Sequence, residues 1–334
     1  MIILHGNALE FLFPEVHPDA GLRVAFHRTL RVPQDGREYP LPAGLGQFPI
    51  VHVEDLPNQA SVPSSWRRAG GVLIPMYPSE AMWMSFNSSL VKGYGPYPSA
   101  VKVAAGKINA TTGEPLNQGP PGEHQDYVVS PTQRWLDGFC TGPGVVRQFV
   151  AEQLGSGLSV EEQVWGWAET GGVQLLAYPM TRRAFEDRFA PKPKAERDVD
   201  IRYSVAPAQG IEMGLSPGGR IKQKIHKDPY RLNEWYEVAT ARCFVRLIHY
   251  KHWLEVTGHA PPHEPIGPEA YRAAGIPWYA EYSDGTGLPG SSFISKMRSA
   301  FGPPPPARLP LKIGSHVRQI VDTDTGTAVT EGEF

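Results

Sequence analysis

Three carboxylates stand close in sequence to tryptophan and are the first residues to test for chemistry: Glu80, Asp126 and Asp137, with Trp83 and Trp135 nearby. A pair of carboxyls flanking a cleft, with an aromatic wall, is the arrangement that cleaves a glycosidic bond, one group protonating the leaving oxygen and the other activating water. The adjacent Glu161 and Glu162 belong to the same class of candidate. Lys102, Lys107 and Asn109 form the most polar part of an otherwise apolar strand pair. With Trp135 they are the residues that a small polar ligand would meet.

Two other chemistries have weaker patterns. His249 and His252 are three apart and His259 and His263 four apart, a spacing zinc can use. The second pair reads His259-Ala260-Pro261-Pro262-His263, however, which cannot be a regular helix, and no thiol or acidic ligand stands at a diagnostic offset. No metal is therefore expected, and these four histidines are the alternative. Gly214-Leu215-Ser216-Pro217-Gly218 matches the form of a nucleophile elbow. The elbow needs a backbone N–H on the residue after serine, and Pro217 has none. No phosphate-binding glycine loop occurs, so no nucleotide or other cofactor is expected.

The elements that must carry these residues are short. With 35 glycines and 34 prolines in 334 residues, proline is about double its usual share of ~5%, and long helices are excluded. Leu22 to Val32 alternates apolar Leu22, Val24 and Phe26 with polar Arg23 and His27, a strand with one buried face. Further strands are expected at Val72–Met76, Ala100–Ala105, Lys107–Ala110, Asp126–Val129, Val145–Val150, Val164–Trp167 and Val173–Tyr178. Gly210–Leu215 and Arg220–Ile225, flanking Ser216-Pro217-Gly218-Gly219, read as a hairpin. Helices are expected over Arg182–Phe189, part of Glu234–Thr257, Pro268–Ala274 and Ser291–Ala300. The class is α+β, mainly antiparallel sheet with a few short helices, mostly in the C-terminal half. Residues 1–20 read as an N-terminal extension and 21–302 as a β-rich unit, with a charged segment over 191–200 able to join two halves. Residues 303–334 form a tail on a proline leash with one strand, His316–Val321.

A formal net charge of −2 carries no footprint for nucleic acid or an anionic membrane. No apolar run approaches the ~18 residues of a membrane span, and the first residues lack the pattern of a secretory leader. Two cysteines, Cys140 and Cys243, are too few for a disulfide framework, and the expectation is a pair of reduced thiols in the cytoplasm.

Several blocks in fixed order carry a resemblance: FHRTLRVPQDGREYPLPAGLGQFP, GGVLIPMYPSEAMWMSF, AVKVAAGKINATTGE, QDYVVSPTQRWLDGF, GVVRQFVA, and MGLSPGGRIKQKIHKDPY followed by AGIPWY. Together, over Leu22 to Tyr282, they resemble a family of soluble bacterial and fungal proteins. Its members sometimes carry the label integral membrane protein, which the residues here contradict. The resemblance implies no catalytic residues to carry over. It does imply assembly, since the family is similar to proteins that form ring-like homo-oligomers. The expectation is a soluble homo-oligomer, partnered by itself, with a binding or structural role. The alternative is a hydrolase acting on a carbohydrate or other polar small molecule through paired carboxylates.

Overall fold

Strand-forming alternation runs through most of this chain, and nearly all the resulting strands pair into one sheet. The computed structural model describes residues 1–32, 34, 36–40, 42, 44–57, 62–78, 80–168, 171–189, 210–239, 241–259 and 291–297, with the pairs 320–321 and 328–329. In chain order the strands are β1 (Ile2–His5), β2 (Ala8–Leu12), β3 (Gly21–Thr29), β4 (Glu38–Tyr39), β5 (Gly44–Gln47), β6 (Val51–His52), β7 (Val72–Met76) and β8 (Ala81–Ser88). Then come β9 (Leu90–Val91), β10 (Gly95–Pro96), β11 (Ser99–Ala105), β12 (Ile108–Asn109), β13 (Val128–Ser130), β14 (Trp135–Leu136), β15 (Gly138–Gly142) and β16 (Val145–Gln153). The last are β17 (Val173–Pro179), β18 (Gly210–Lys222), β19 (Ala241–His249), β20 (Ile320–Val321) and β21 (Ala328–Val329). Five short α-helices are described: α1 (Ser64–Ala69), α2 (Val160–Trp165), α3 (Arg182–Phe189), α4 (Trp253–Thr257) and α5 (Ser292–Ser295). The class is β-rich α+β, mostly antiparallel, and the longest described helix has 8 residues.

The pairings close on themselves. β8 pairs with β16, β16 with β18, β18 with β19, β19 with β17, β17 with β11 and β11 with β13. The chain turns from β13 into β14, and β14 pairs back onto β8. Registers place Met82, Phe149, Leu215, Leu247, Leu175 and Val103 on one face of this ring, and all six are at most 1% exposed in a common apolar cluster. The ring is therefore packed with hydrocarbon. Outside it, β3, β2 and β1 extend the sheet from the free edge of β8, and β7 and β6 extend it from β19.

The N-terminal residues are part of this sheet, with Phe11 and Phe13 fully buried. Strands β18 and β19, beyond the charged segment at 191–200, pair with β16 and β17 before it. The segment itself lies outside the described residues.

Three local expectations are corrected. The hairpin expected around Ser216-Pro217-Gly218-Gly219 is one continuous strand, β18, running antiparallel to β16. Neither Gly218 nor Gly219 takes a positive φ. Gly218 is there for proximity, because a Cβ would sit 2.5 Å from the Val150 side chain and 3.1 Å from the Gln148 carbonyl. Val164–Trp167, expected as a strand, is the end of α2 and its αL turn at Gly166. Ser159 starts that helix with a capping box, its hydroxyl accepting from the Glu162 N–H and the Glu162 carboxylate accepting from the Ser159 N–H. Within Glu234–Thr257 most of the expected helix is β19, and only Trp253–Thr257 is helical. Its residues alternate, with Cys243, Val245 and Leu247 buried and Arg242 exposed, which is period two. Pro268–Ala274 and most of the C-terminal tail lie outside the described residues.

Candidate functional site

Each carboxylate nominated for acid–base work is held by a separate structural partner. Glu80 ends the loop entering β8 and meets Arg28 of β3, with Nε and Nη2 each 2.5 Å from Oε1, while Oε2 accepts from the Tyr77 N–H at 3.0 Å. Both side chains are nearly fully buried. Burial pushes the Glu80 pKa up, and the Arg28 charge opposes it. The pair ties β3 to the start of β8.

Asp126 faces Lys102 of β11. The ammonium is completely buried and donates to Asp126 Oδ2 at 2.8 Å, to the Asn117 carbonyl at 3.1 Å and to the Pro120 carbonyl at 3.5 Å. All three of its protons are therefore used. Asn109 donates to the Asp126 carbonyl and accepts from the Thr111 and Thr112 N–H groups and the Thr111 hydroxyl. Lys102 and Asn109 thus fasten the 110–126 loop over the outer face of β11. Asp126 Oδ1 is buried without a partner, and burial raises this carboxyl's pKa despite the Lys102 hydrogen bond. Lys102→Met is expected to lower stability by about 2 kcal/mol, because Asp126 is left buried beside a methylene. Urea titration checks this, and the double variant with Asp126→Asn should recover most of the loss.

Asp137 lies between β14 and β15 and is buried, with no cation among the described residues contributing to its electrostatics. Its Oδ2 accepts from Gln223 Nε2 at 2.6 Å and its N–H donates to Gln223 Oε1 at 2.9 Å. Burial pushes its pKa up to about 8, opposed only by the Gln223 hydrogen bond, so the group is protonated at neutral pH. Trp135 is half-buried on the outer face, where its indole N–H has no partner. None of the three carboxylates hydrogen-bonds to another.

Glu161 and Glu162 also hold backbone. Glu161 Oε1 accepts from the Lys107 N–H and Oε2 from the Gly171 N–H, both at 2.9 Å. Gly106, at φ +55°, makes room for this carboxylate, since a Cβ there would fall 1.9 Å from its Cδ. The Lys107 backbone takes part through both groups, its N–H donating to Glu161 and its carbonyl accepting from the Leu116 N–H at 2.8 Å.

The three described histidines of the proposed zinc set form no common ligand group. His249 ends β19, stacked on Tyr250, and burial followed by the His252 charge pushes its pKa down to about 3. His252 meets Glu255 at 2.5 Å. His259 is exposed, and His263 lies outside the described residues. Among the described residues, no group of three or more His, Cys, Asp and Glu is placed to hold a metal ion. Both cysteines are free and buried, and burial pushes the Cys140 thiol up to about 11 and the Cys243 thiol up to about 12. Neither is a thiolate at neutral pH. Ser216, on the outer face of β18, is fully buried in mid-strand with no hydrogen-bond partner for its hydroxyl.

A groove of about 220 Å³ opens between the outermost strand β1 and the start of β19, lined by Ile2, Leu4, Leu9, Val72, Cys243 and Phe244 among others. Sequence patterning did not point to it, because its walls are the edges of strands far apart in the chain.

The residues that sequence reasoning missed are glutamines and one arginine. Gln125 joins the His226 carbonyl and the Asp228 N–H, Gln133 joins the His226 N–H and the Trp135 carbonyl, and Gln148 joins the Val32 N–H and the Leu30 carbonyl. Each side-chain amide supplies one donor and one acceptor, as a neighbouring strand would. Arg147 is buried among carbonyl groups only. Among the described residues, no helix is long and apolar enough to cross a membrane. Comparison with protein-family models, curated proteins and solved structures finds no match.

Proposed function

We propose that this chain is a cytoplasmic homo-oligomer with a binding or structural role, partnered by itself and by neither nucleic acid nor membrane. The observation that supports it is how the polar groups are used. Glu80, Asp126, Asp137, Glu161 and Glu162 are spent on Arg28, Lys102, Gln223 and backbone N–H groups, whereas among the described residues the edge strand β1 keeps bonding capacity. Sheet edges of this kind are closed in assemblies by a second chain. Two free buried thiols suit a reducing compartment. A hydrolase would need two carboxyls about 5–10 Å apart facing one cleft, whereas Glu80, Asp126 and Asp137 are each engaged by a partner of their own, Arg28, Lys102 and Gln223. Light scattering on the purified protein at micromolar concentration tests the reading. The expected mass is a multiple of the chain mass of 36.7 kDa, and a monomer overturns it.

A further inference from the structure

The hydrogen-bond phase of the N-terminal hairpin decides which backbone groups of β1 are unused. Met1 and Leu12 exchange bonds in both directions, with Leu12 N–H on the Met1 carbonyl at 2.8 Å and Met1 N on the Leu12 carbonyl at 3.0 Å. In an antiparallel pair, hydrogen-bonded positions alternate with non-bonded ones. The register Ile2↔Phe11, Ile3↔Glu10, Leu4↔Leu9, His5↔Ala8 therefore makes Ile3–Glu10 and His5–Ala8 bonded pairs. The two-residue turn Gly6-Asn7, with Gly6 at φ +59°, demands the same phase from the other end. Ile2 and Leu4 consequently turn their N–H and C=O groups away from β2. No other bond takes them up among the described residues.

Positions Ile2 and Leu4 lie symmetrically about Ile3, and that spacing is self-complementary. Set antiparallel against a copy of itself with Ile3 on the two-fold axis, β1 opposes Ile2 to Leu4 of the partner subunit and Leu4 to the partner subunit's Ile2. Both opposed residues of each pair carry outward groups, so each pair exchanges N–H···O bonds in both directions. Side chains agree with this register. Ile3 and Met1 are 39% and 64% exposed, large apolar groups held in water on the outer face or at the strand's start. Ile2 and Leu4 pack towards the core, and beside them lies the apolar groove walled by Leu9 and Val72. Directly opposed residues share a face, so the incoming Ile2 and Leu4 arrive on the groove side.

We infer that β1 is the assembly edge, pairing antiparallel with β1 of a second copy about a two-fold axis at Ile3. This rests on the homo-oligomeric reading and names its interface. Leu4→Pro is the most direct probe, because it deletes an N–H that β2 does not use, and proline is tolerated on edge strands. The variant is expected to keep its melting cooperativity and halve in mass by light scattering. Ile3→Lys, at an exposed position, should do the same by placing like charges across the axis. Ile3→Cys provides a positive test. Non-bonded antiparallel pairs bring Cα atoms to about 4.5 Å, inside the range of about 4.4–6.8 Å that a disulfide spans. Oxidation should yield a covalent dimer, and because Cys243 lines the groove, the wild type oxidised in parallel should yield none. A monomeric wild type overturns both the assembly and this edge. An oligomer unchanged by Leu4→Pro and Ile3→Lys, with no cross-link through Ile3→Cys, overturns the edge and leaves the assembly standing.

Discussion

Asp137→Asn is expected to stabilise the protein at neutral pH by up to about 4 kcal/mol, with the gain disappearing towards pH 4. The wild-type carboxyl is buried with Gln223 as its hydrogen-bond partner and has a pKa of about 8 in the folded state. In the unfolded chain an aspartate titrates near 3.9. Below about pH 4 both states hold the proton and the group contributes no pH dependence. Between about pH 4 and 8 the unfolded chain releases the proton that the fold retains, so stability falls as pH rises. Above about 8 the folded state ionises as well and the loss levels off. Asparagine presents the same carbonyl to Gln223 and never ionises, which removes the slope. Urea unfolding of both proteins at several pH values measures it. A difference that does not vary with pH would show that Asp137 is ionised in the fold.

Arg147→Met is expected to cost about 3 kcal/mol and to release the segment carrying α5 from the ring. The guanidinium donates from Nε to the Gly218 carbonyl at 3.0 Å, from Nη2 to the Pro217 carbonyl at 2.8 Å, and from Nη1 to the Ile294 carbonyl at 3.2 Å and the Met297 carbonyl. Its bonds reach no carboxylate. Burial, then the Arg220 charge, pulls its pKa down to about 10, still a cation at neutral pH. That charge sits at the carbonyl end of α5, where a cation is favourable. Methionine fills much of the volume but leaves four carbonyls without their donor. Hydrogen exchange should show the Ser295, Lys296 and Met297 amides losing protection before the strands of the ring do. Arg147→Lys, with fewer and less well-directed donors, should fall between the two. Unchanged exchange in Arg147→Met would mean that Ile294 packing and the Ser291 N–H bond to the Cys140 carbonyl hold the segment without the guanidinium.

Parts of the fold were legible because the relevant physics is local. Leu22, Val24 and Phe26 alternate with Arg23 and His27, and β3 buries the first set and leaves the second half-exposed. Proline density excluded long helices, and the described helices are short. Pro217 lacks the N–H that a nucleophile elbow needs, but Ser216 lies in mid-strand rather than in the expected turn. Two misreadings had local signals that were overlooked. Ser159 and Glu162 carry the spacing of a capping box ahead of α2, and residues 241–247 carry a period of two rather than 3.6. The hairpin at Ser216–Gly219 failed for a different reason. Glycine there serves a close approach to β16, and close approach leaves the same letter in the sequence as a turn does.

The candidate site was legible only as a set of residue types. Sequence alone determined that the chain is a turn-rich, antiparallel sheet protein with little net charge and only two cysteines, because composition and period depend only on near neighbours. Tertiary structure decided what each polar group does. Glu80 meets Arg28 across 52 positions, Asp137 meets Gln223 across 86, and Arg147 reaches Met297 across 150. A buried carboxyl has one chemistry beside a guanidinium and another beside an amide, and no spacing rule encodes that difference. The edge of β1 that no described residue pairs with is of the same kind. Ile2 and Leu4 look like core residues in sequence, and only the phase of the hydrogen bonds to β2 shows that their backbone groups face outward.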